Sequence, residues 1–352
     1  MDGFFSGKRV FLTGHTGFKG TWLSLWLHRL GARVRGFALE PPSRPSLFDL
    51  LAAGDLVEDV RGDLRDAAAV AGAMSAFQPD IVVHMAAQAL VRPSYNDPAG
   101  TFASNALGTA HVLDAVRRTP SVQAVVNVTS DKCYENREWV WGYRENDPFG
   151  GHDPYSASKA CAEIVAQSFA RSFFSAPGGP ALASARAGNV IGGGDFGADR
   201  LIPDLARAAK AGTPALIRNP KAVRPWQHVL EPLSAYLLLA RRLYEEGQTV
   251  AGGWNFGPEA AESREVGEMA GAFCRALGHG ASWTQDPGGH PHEARLLRLD
   301  CSKARALLGW RPRLDVDAAL EWTAAWYRAW LDGSVDLRGL AESQIADYEA
   351  LG

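Results

Sequence analysis

The stretch RVFLTGHTGFKGTWLSLWL, residues 9–27, decides the fold. A short apolar run over residues 9–13 reads as a buried strand, and a helical pattern begins near Phe18. Between them Gly14, Gly17 and Gly20 fall at GxxGxxG spacing. Gly14 permits a tight turn, Gly17 lets a pyrophosphate approach the backbone, and Gly20 allows the helix to pack closely on the strand. The free N–H groups at the helix start favour the phosphate charge. A purely structural turn also accounts for such a loop when it stands alone, so its surroundings carry the argument.

Similar short runs recur outward from this loop: RVRGFAL (33–39), DIVVHMA (80–86), QAVVNVT (123–129) and ALASARA (181–187). Near-continuous apolar strands separated by segments long enough for crossover helices predict an α/β chain, a doubly wound Rossmann-like parallel sheet. Residues 1–187 are expected to form a dinucleotide-binding domain that carries the catalytic residues. After Gly188 the texture turns to Gly- and Pro-rich loops, GNVIGGGDFG and IRNPKAVRPWQ, with a helical segment at Leu233–Glu246. Residues 188–352 are therefore expected to be mainly a smaller C-terminal substrate-binding lobe, some segments returning to the first domain. Trp322, Trp326 and Trp330 form one stripe of a helix, a packing or oligomer contact.

A length of 352 residues suits about two lobes. The 36 basic and 39 acidic side chains nearly balance, which removes the bulk electrostatic case for nucleic acid or an anionic membrane and leaves a small molecule as the expected partner. Cys133, Cys161, Cys274 and Cys301 show no CxxC or zinc-like spacing, and the chain has no apolar run of transmembrane length, so a reduced cytoplasm is expected. His290, His292 and Glu293 are metal-ligand types without a further ligand cluster, and no metal is expected.

Two motifs carry chemistry. In DPYSASKACAE, Tyr155 and Lys159 lie four apart on one helical face behind a Pro that suits a helix start. A cation about 4 Å from the phenol favours phenolate by at most ~4 kcal/mol at an effective dielectric near 20, which brings a tyrosine base towards neutrality. The second motif, TSDKCY, ends the 123–129 run with Ser130, Asp131 and Lys132, at the carboxyl edge where such sheets place ligands. Asp63 is placed either to accept from an adenine amino group or to cap the following helix, with Leu64 beside the ring. Ala86 and Ala87 leave room at a strand end, and Glu40 sits where an acidic side chain binds the adenosine ribose and favours NAD over NADP, Arg33, Arg35 and Arg44 lying nearby.

With GxxGxxG and YxxxK both in place, the chain resembles the extended short-chain dehydrogenase/reductase family over nearly its whole length. Lys132 replaces the Glu of the usual Thr-Asp-Glu triplet of nucleotide-sugar 4,6-dehydratases, and Ser130 replaces its Thr. Together with GHTGFKGTWLSLWL, LEPP, YRENDPFGGHDPYSASKACAE, RAGNVIGGGD and RPWQHVLEPL, that variant resembles the branch acting on CDP-glucose. The resemblance implies NAD as cofactor, with Thr13, Thr16, Phe18, Lys19, Gln88 and Asn105 joining the residues above around it. It implies Tyr155 as base on a sugar hydroxyl, Lys159 on the nicotinamide ribose, Asp131 as acid for the C6 hydroxyl and Ser130 near O4. Lys132 is either the C5 base or a charge that steadies the enolate. Arg92, Asn189, Arg218 and Arg224 are implied substrate contacts, while Trp226 either stacks on a base or fills the lobe. Helices near 97–118 and 155–174 resemble those that pair in family dimers. The competing readings are an epimerase or reductase on the same fold and a non-catalytic dinucleotide sensor.

Overall fold

The computed structural model describes residues 3–259, 263–288, 296–333 and 336–352. The segment holding His290, His292 and Glu293 lies outside them. The strands are β1 (Arg9–Thr13), β2 (Arg33–Ala38), β3 (Glu58–Arg61), β4 (Ile81–His84), β5 (Ala124–Val128), β6 (Ala181–Ala187), β7 (Asn189–Ile191), β8 (Ala215–Ile217), β9 (Val223–His228), β10 (Gly252–Phe256), β11 (Ser263–Glu265) and β12 (Trp283–Gln285). Seven of them form a sheet in the order β3-β2-β1-β4-β5-β6-β10, and every pairing in it is parallel. This is the doubly wound arrangement, with the reversal of strand order falling between β1 and β4.

The apolar runs follow from coverage on both faces. Successive strand residues point to opposite faces. Val10, Leu12, Ile81, Val83, Ala124 and Val126 pack with Trp22, Trp26, Leu233 and Leu237 on one side. Phe11, Val82, Val125 and Leu182 pack with Val70, Met74, Val112 and Leu113 on the other. Charges survive in β3, whose Glu58, Asp59 and Arg61 stand at the sheet's edge. Arg33 and Arg35 of β2 reach across to Glu58, at 3.6 and 2.6 Å.

Beyond β6 the chain builds a three-stranded sheet, β11-β9-β7, and a two-stranded one, β12-β8. It returns to the large sheet as β10, GGWNF, whose short aromatic run gives little strand signal. The helices Leu230–Glu246 and Val316–Asp332 share one core with the β1 side of the sheet. Trp326 is fully buried and covers Gly193, where a Cβ would stand 2.0 Å from the indole, so the tryptophan stripe is packing.

Candidate active site

The carboxyl ends of β1, β4, β5 and β6 open into one cleft of about 1300 Å³, larger than the several hundred Å³ usual for a single small ligand. Its floor is the glycine loop. Gly14 has φ +81°, and a Cβ there would lie 2.8 Å from the Ala86 nitrogen. A Cβ on Gly20 would lie 2.0 Å from the Gly14 carbonyl oxygen. Helix Phe18–Arg29 begins where the spacing predicts, and its first N–H groups lie beyond the reach of intrahelical acceptors. The residues therefore fit a dinucleotide: a cradle that only glycine can form, a helix start beneath it, and space for a second nucleotide.

Of the expected cofactor contacts, Gly14, Thr16, Gly17, Phe18, Lys19, Gly20, Glu40, Asp63, Leu64, Ala86, Ala87 and Gln88 line the cleft. Two do not. Thr13 is fully buried; its hydroxyl accepts from the Met85 and Ala86 amides at 3.1 Å and meets His84 Nδ1 at 2.7 Å. Asn105 is also buried, its carboxamide spent on the Gln88 backbone at 2.8 and 2.9 Å and on Ser158 Oγ at 2.8 Å. Both hold the β4 loop from behind, because polar atoms at those depths must be satisfied by the protein. His84, pushed down to about 3 by burial and by Lys159, is neutral in this chain and its Nε2 meets Thr109 at 3.1 Å. The helix cap falls to Asp66, which accepts from Ala68 and Ala69, while Asp63 is held by Arg65 and below the usual carboxylate range by that bond. Glu40 is exposed, 3.6 Å from Arg61.

On the opposite wall, Asp153 caps the helix Pro154–Phe169, which sets Tyr155 and Lys159 one turn apart. Both are buried. The phenol departs from expectation: burial raises Tyr155 to about 12, a Ser130 hydrogen bond and the Arg200 charge pull the other way, and Asp131 adds to the rise. The Lys159 ammonium is turned towards the Val128 carbonyl at 3.3 Å, and burial lowers it to about 8. Desolvation thus outweighs the attraction that the i, i+4 spacing promised. Ser130 caps the one-turn helix Asp131–Cys133 and donates to Asp131 Oδ1 at 2.9 Å. Burial raises the Asp131 carboxyl, opposed by Lys132, Ser130, Arg224 and Lys19, which favours the protonated acid. Gly188 makes room for it, since a Cβ there would lie 3.0 Å from Asp131 Oδ2. Lys132 lines the cleft beside them.

Arg92 and Arg218 converge on Asp199, at 3.1 and 3.2 Å, from β4's following helix and from the end of β8. Asn189 and Arg224 line the same cleft from β7 and β9. Trp226 is buried in the core and donates to the Arg264 carbonyl, and it also lines the cleft. Sequence reasoning missed Arg200, whose guanidinium pairs with Asp195 at 2.9 Å and faces Tyr155 and Lys19. It also missed the buried pair Glu163–Arg186, for which a lone arginine in the strand ALASARA was the available signal. Among the described residues no group of three His, Cys, Asp or Glu side chains is arranged to hold a metal, and no helix is long and apolar enough to cross a membrane.

The model of the GDP-mannose 4,6 dehydratase family matches residues 11–323. A CDP-glucose 4,6-dehydratase of Salmonella typhimurium is 52% identical over 98% of this chain and 97% of its own. The crystal structure of a Thermus thermophilus UDP-glucose 4-epimerase complexed with NAD superimposes with a TM-score of 0.77 at 26% identity, covering 93% of this chain and 100% of the other. A Bacillus anthracis dTDP-glucose 4,6-dehydratase in complex with NAD shares the fold, with a TM-score of 0.75 at 18% identity over 95% of this chain and 100% of the other. Fold, cleft and relatives define an NAD-dependent nucleotide-sugar dehydratase, a hydro-lyase. The chain belongs to the GDP-mannose 4,6 dehydratase family.

Proposed function

We propose that the protein converts CDP-glucose to CDP-4-keto-6-deoxyglucose and water. The observation that carries this reading is the juxtaposition of Ser130 and Asp131 with Tyr155: a second acid/base station stands over an oxidation pair, and epimerisation or simple reduction has no use for it. The 52% identity to a CDP-glucose 4,6-dehydratase supports the cytidine substrate. The glycine loop and the start of helix Phe18–Arg29 would hold NAD, which would supply the hydride acceptor for C4 and the hydride donor for C6. Tyr155 takes the O4 proton, with Ser130 hydrogen-bonding that oxygen. Lys159 supplies charge that the buried phenol needs to act below its own range, and a bound oxidised nicotinamide would add to it. Asp131 gives its proton to the departing C6 hydroxyl, which leaves as water, and Lys132 takes the acidified C5 proton and gives it back to C5 as the hydride reaches C6. Arg92, Asn189, Arg218 and Arg224 hold the nucleotide end, the arginines offering forks to phosphate oxygens.

Leu107 and Ile164 stand exposed on neighbouring helices, which supports pairing of two copies through that face. The four cysteines are free, in keeping with a reducing compartment.

Incubation with NAD⁺ and a panel of CDP-, dTDP-, GDP- and UDP-sugars tests the assignment, with products identified by mass and NMR. Loss of one water from CDP-glucose without net cofactor consumption is expected. A mass-neutral change points to an epimerase, and no turnover of any sugar points to a sensor.

A further inference from the structure

The residues bracketing the Ser130-Asp131-Lys132 triplet are gripped by one buried ion pair. Glu163 lies one turn beyond Lys159 on the same helix, and both Glu163 and its partner Arg186 have side chains only 1% exposed. Glu163 Oε1 accepts from the Thr129 hydroxyl at 2.5 Å and from Arg186 Nε at 2.7 Å, while Oε2 accepts from Arg186 Nη2 at 2.9 Å. Arg186 Nη1 then donates to the Tyr134 hydroxyl at 2.6 Å and the Glu145 carbonyl at 3.0 Å, and Tyr134 donates to Asn255 at 2.7 Å. Thr129 precedes the triplet and Tyr134 follows its turn, so the pair fastens both ends of the loop to the helix that carries Tyr155 and Lys159.

A buried ion pair is a poor source of net stability, since apolar residues of similar volume serve as well. A positional role explains its presence better. We infer that Glu163 is a positioning residue that clamps the dehydration triplet to the oxidation helix and keeps Lys159 charged.

The electrostatics agree with the geometry. Lys159 faces Glu163 from its own helix, Cys133 from the triplet's turn, His84 from β4 and Lys19 from the helix after the glycine loop. Burial lowers Lys159 to about 8, and Glu163 and then Cys133 oppose the fall. Removing the carboxylate therefore lowers it further, and less of the ammonium that serves Tyr155 remains at neutral pH. This rests on the reading of Lys159 as the cation of that pair.

The test uses two variants and two readouts. Glu163→Gln is paired with Arg186→Met, so that no guanidinium is left stranded in the core, and Thr129→Val removes only the hydroxyl grip. The Lys159 Cε resonance, assigned by its loss in Lys159→Met, is titrated in ¹³C-lysine-labelled protein without cofactor or substrate. Its midpoint is expected to fall in the double variant, since Glu163 is among the charges that hold Lys159 up and Arg186 is not among those that push it down. It is expected to stay in place in Thr129→Val. An unmoved midpoint in the folded double variant overturns the electrostatic role. Single-turnover assays with CDP-glucose and NAD⁺ compare NADH appearance with water loss. Thr129→Val is expected to slow water loss about tenfold more than NADH formation, and equal slowing overturns the clamp. Because the titration needs no ligand, it fails or succeeds independently of the assigned substrate.

Discussion

Two proton-transfer stations meet over the cleft, and they are built differently. Tyr155 and Lys159 ride on a regular helix with an Asp cap and Pro at its first position, where local spacing alone sets their separation. Ser130, Asp131 and Lys132 sit at a single 3₁₀ turn at the end of β5, where the local contacts are the Ser130 cap and its bond to Asp131. That second station is held by Gly188 on β6's end, by the Glu163–Arg186 pair and by charges from β9 and the glycine loop. The helix supplies geometry cheaply but buries its groups, while the turn takes its geometry from several remote elements. On the proposed function, the stiff station serves the oxidation and the assembled one the dehydration.

The comparison breaks most visibly at Tyr155. Tyr155→Phe is expected to lower C4 oxidation by about 10²–10⁴, the usual worth of a positioned proton transfer, and with it every later step. Single-turnover NADH formation from CDP-glucose checks this. Asp131→Asn is expected to lose water elimination by a similar factor while NADH still forms, and equal loss of both steps dissolves the distinction between the stations. Lys132→Ala is expected to leave C4 oxidation detectable and to stop C5 exchange with solvent deuterium, read by NMR; normal exchange removes it as the base.

A smaller effect comes with pH. Lys159 has its folded value lowered from 10.5 to about 8, so in the ligand-free protein the cation is lost as pH rises through about 8. The rise of oxidation with pH, as phenolate forms at Tyr155, is then expected to level off above that point. Stability runs the other way: between about 8 and 10.5 the unfolded chain binds more protons at this lysine, so its contribution rises with pH across that window. Thermal midpoints of wild type and Lys159→Met across this range isolate the term. Smallest is Gly188→Ala, whose new methyl group crowds Asp131 Oδ2 at 3.0 Å and is expected to slow water loss a few-fold with NADH formation unchanged.

Much of the helix station was legible in the chain. The glycine spacing, the strand runs and the Tyr155–Lys159 interval are local patterns, and the structure builds the loop, strands and helix at those positions. Thr13 and Asn105, which the resemblance implies as cofactor contacts, stand outside the cleft lining, because the buried amides of Met85, Ala86 and Gln88 claim their side chains. The fall expected for Tyr155 failed for a related reason. Its value depends on burial by many elements and on Arg200, which lies 45 residues away by number and beside it in space.

By itself, the sequence determined the doubly wound sheet, the phosphate-ready loop and the positions of the proposed reacting side chains, since these follow from periods of two and 3.6 residues and from where glycine is tolerated. Only the tertiary structure decided how those side chains are charged and aimed. Desolvation and Coulomb forces sum over neighbours from every part of the chain, and the clamp of Thr129 and Tyr134 by Glu163 and Arg186 exists only once β5, β6 and the Tyr155 helix have packed.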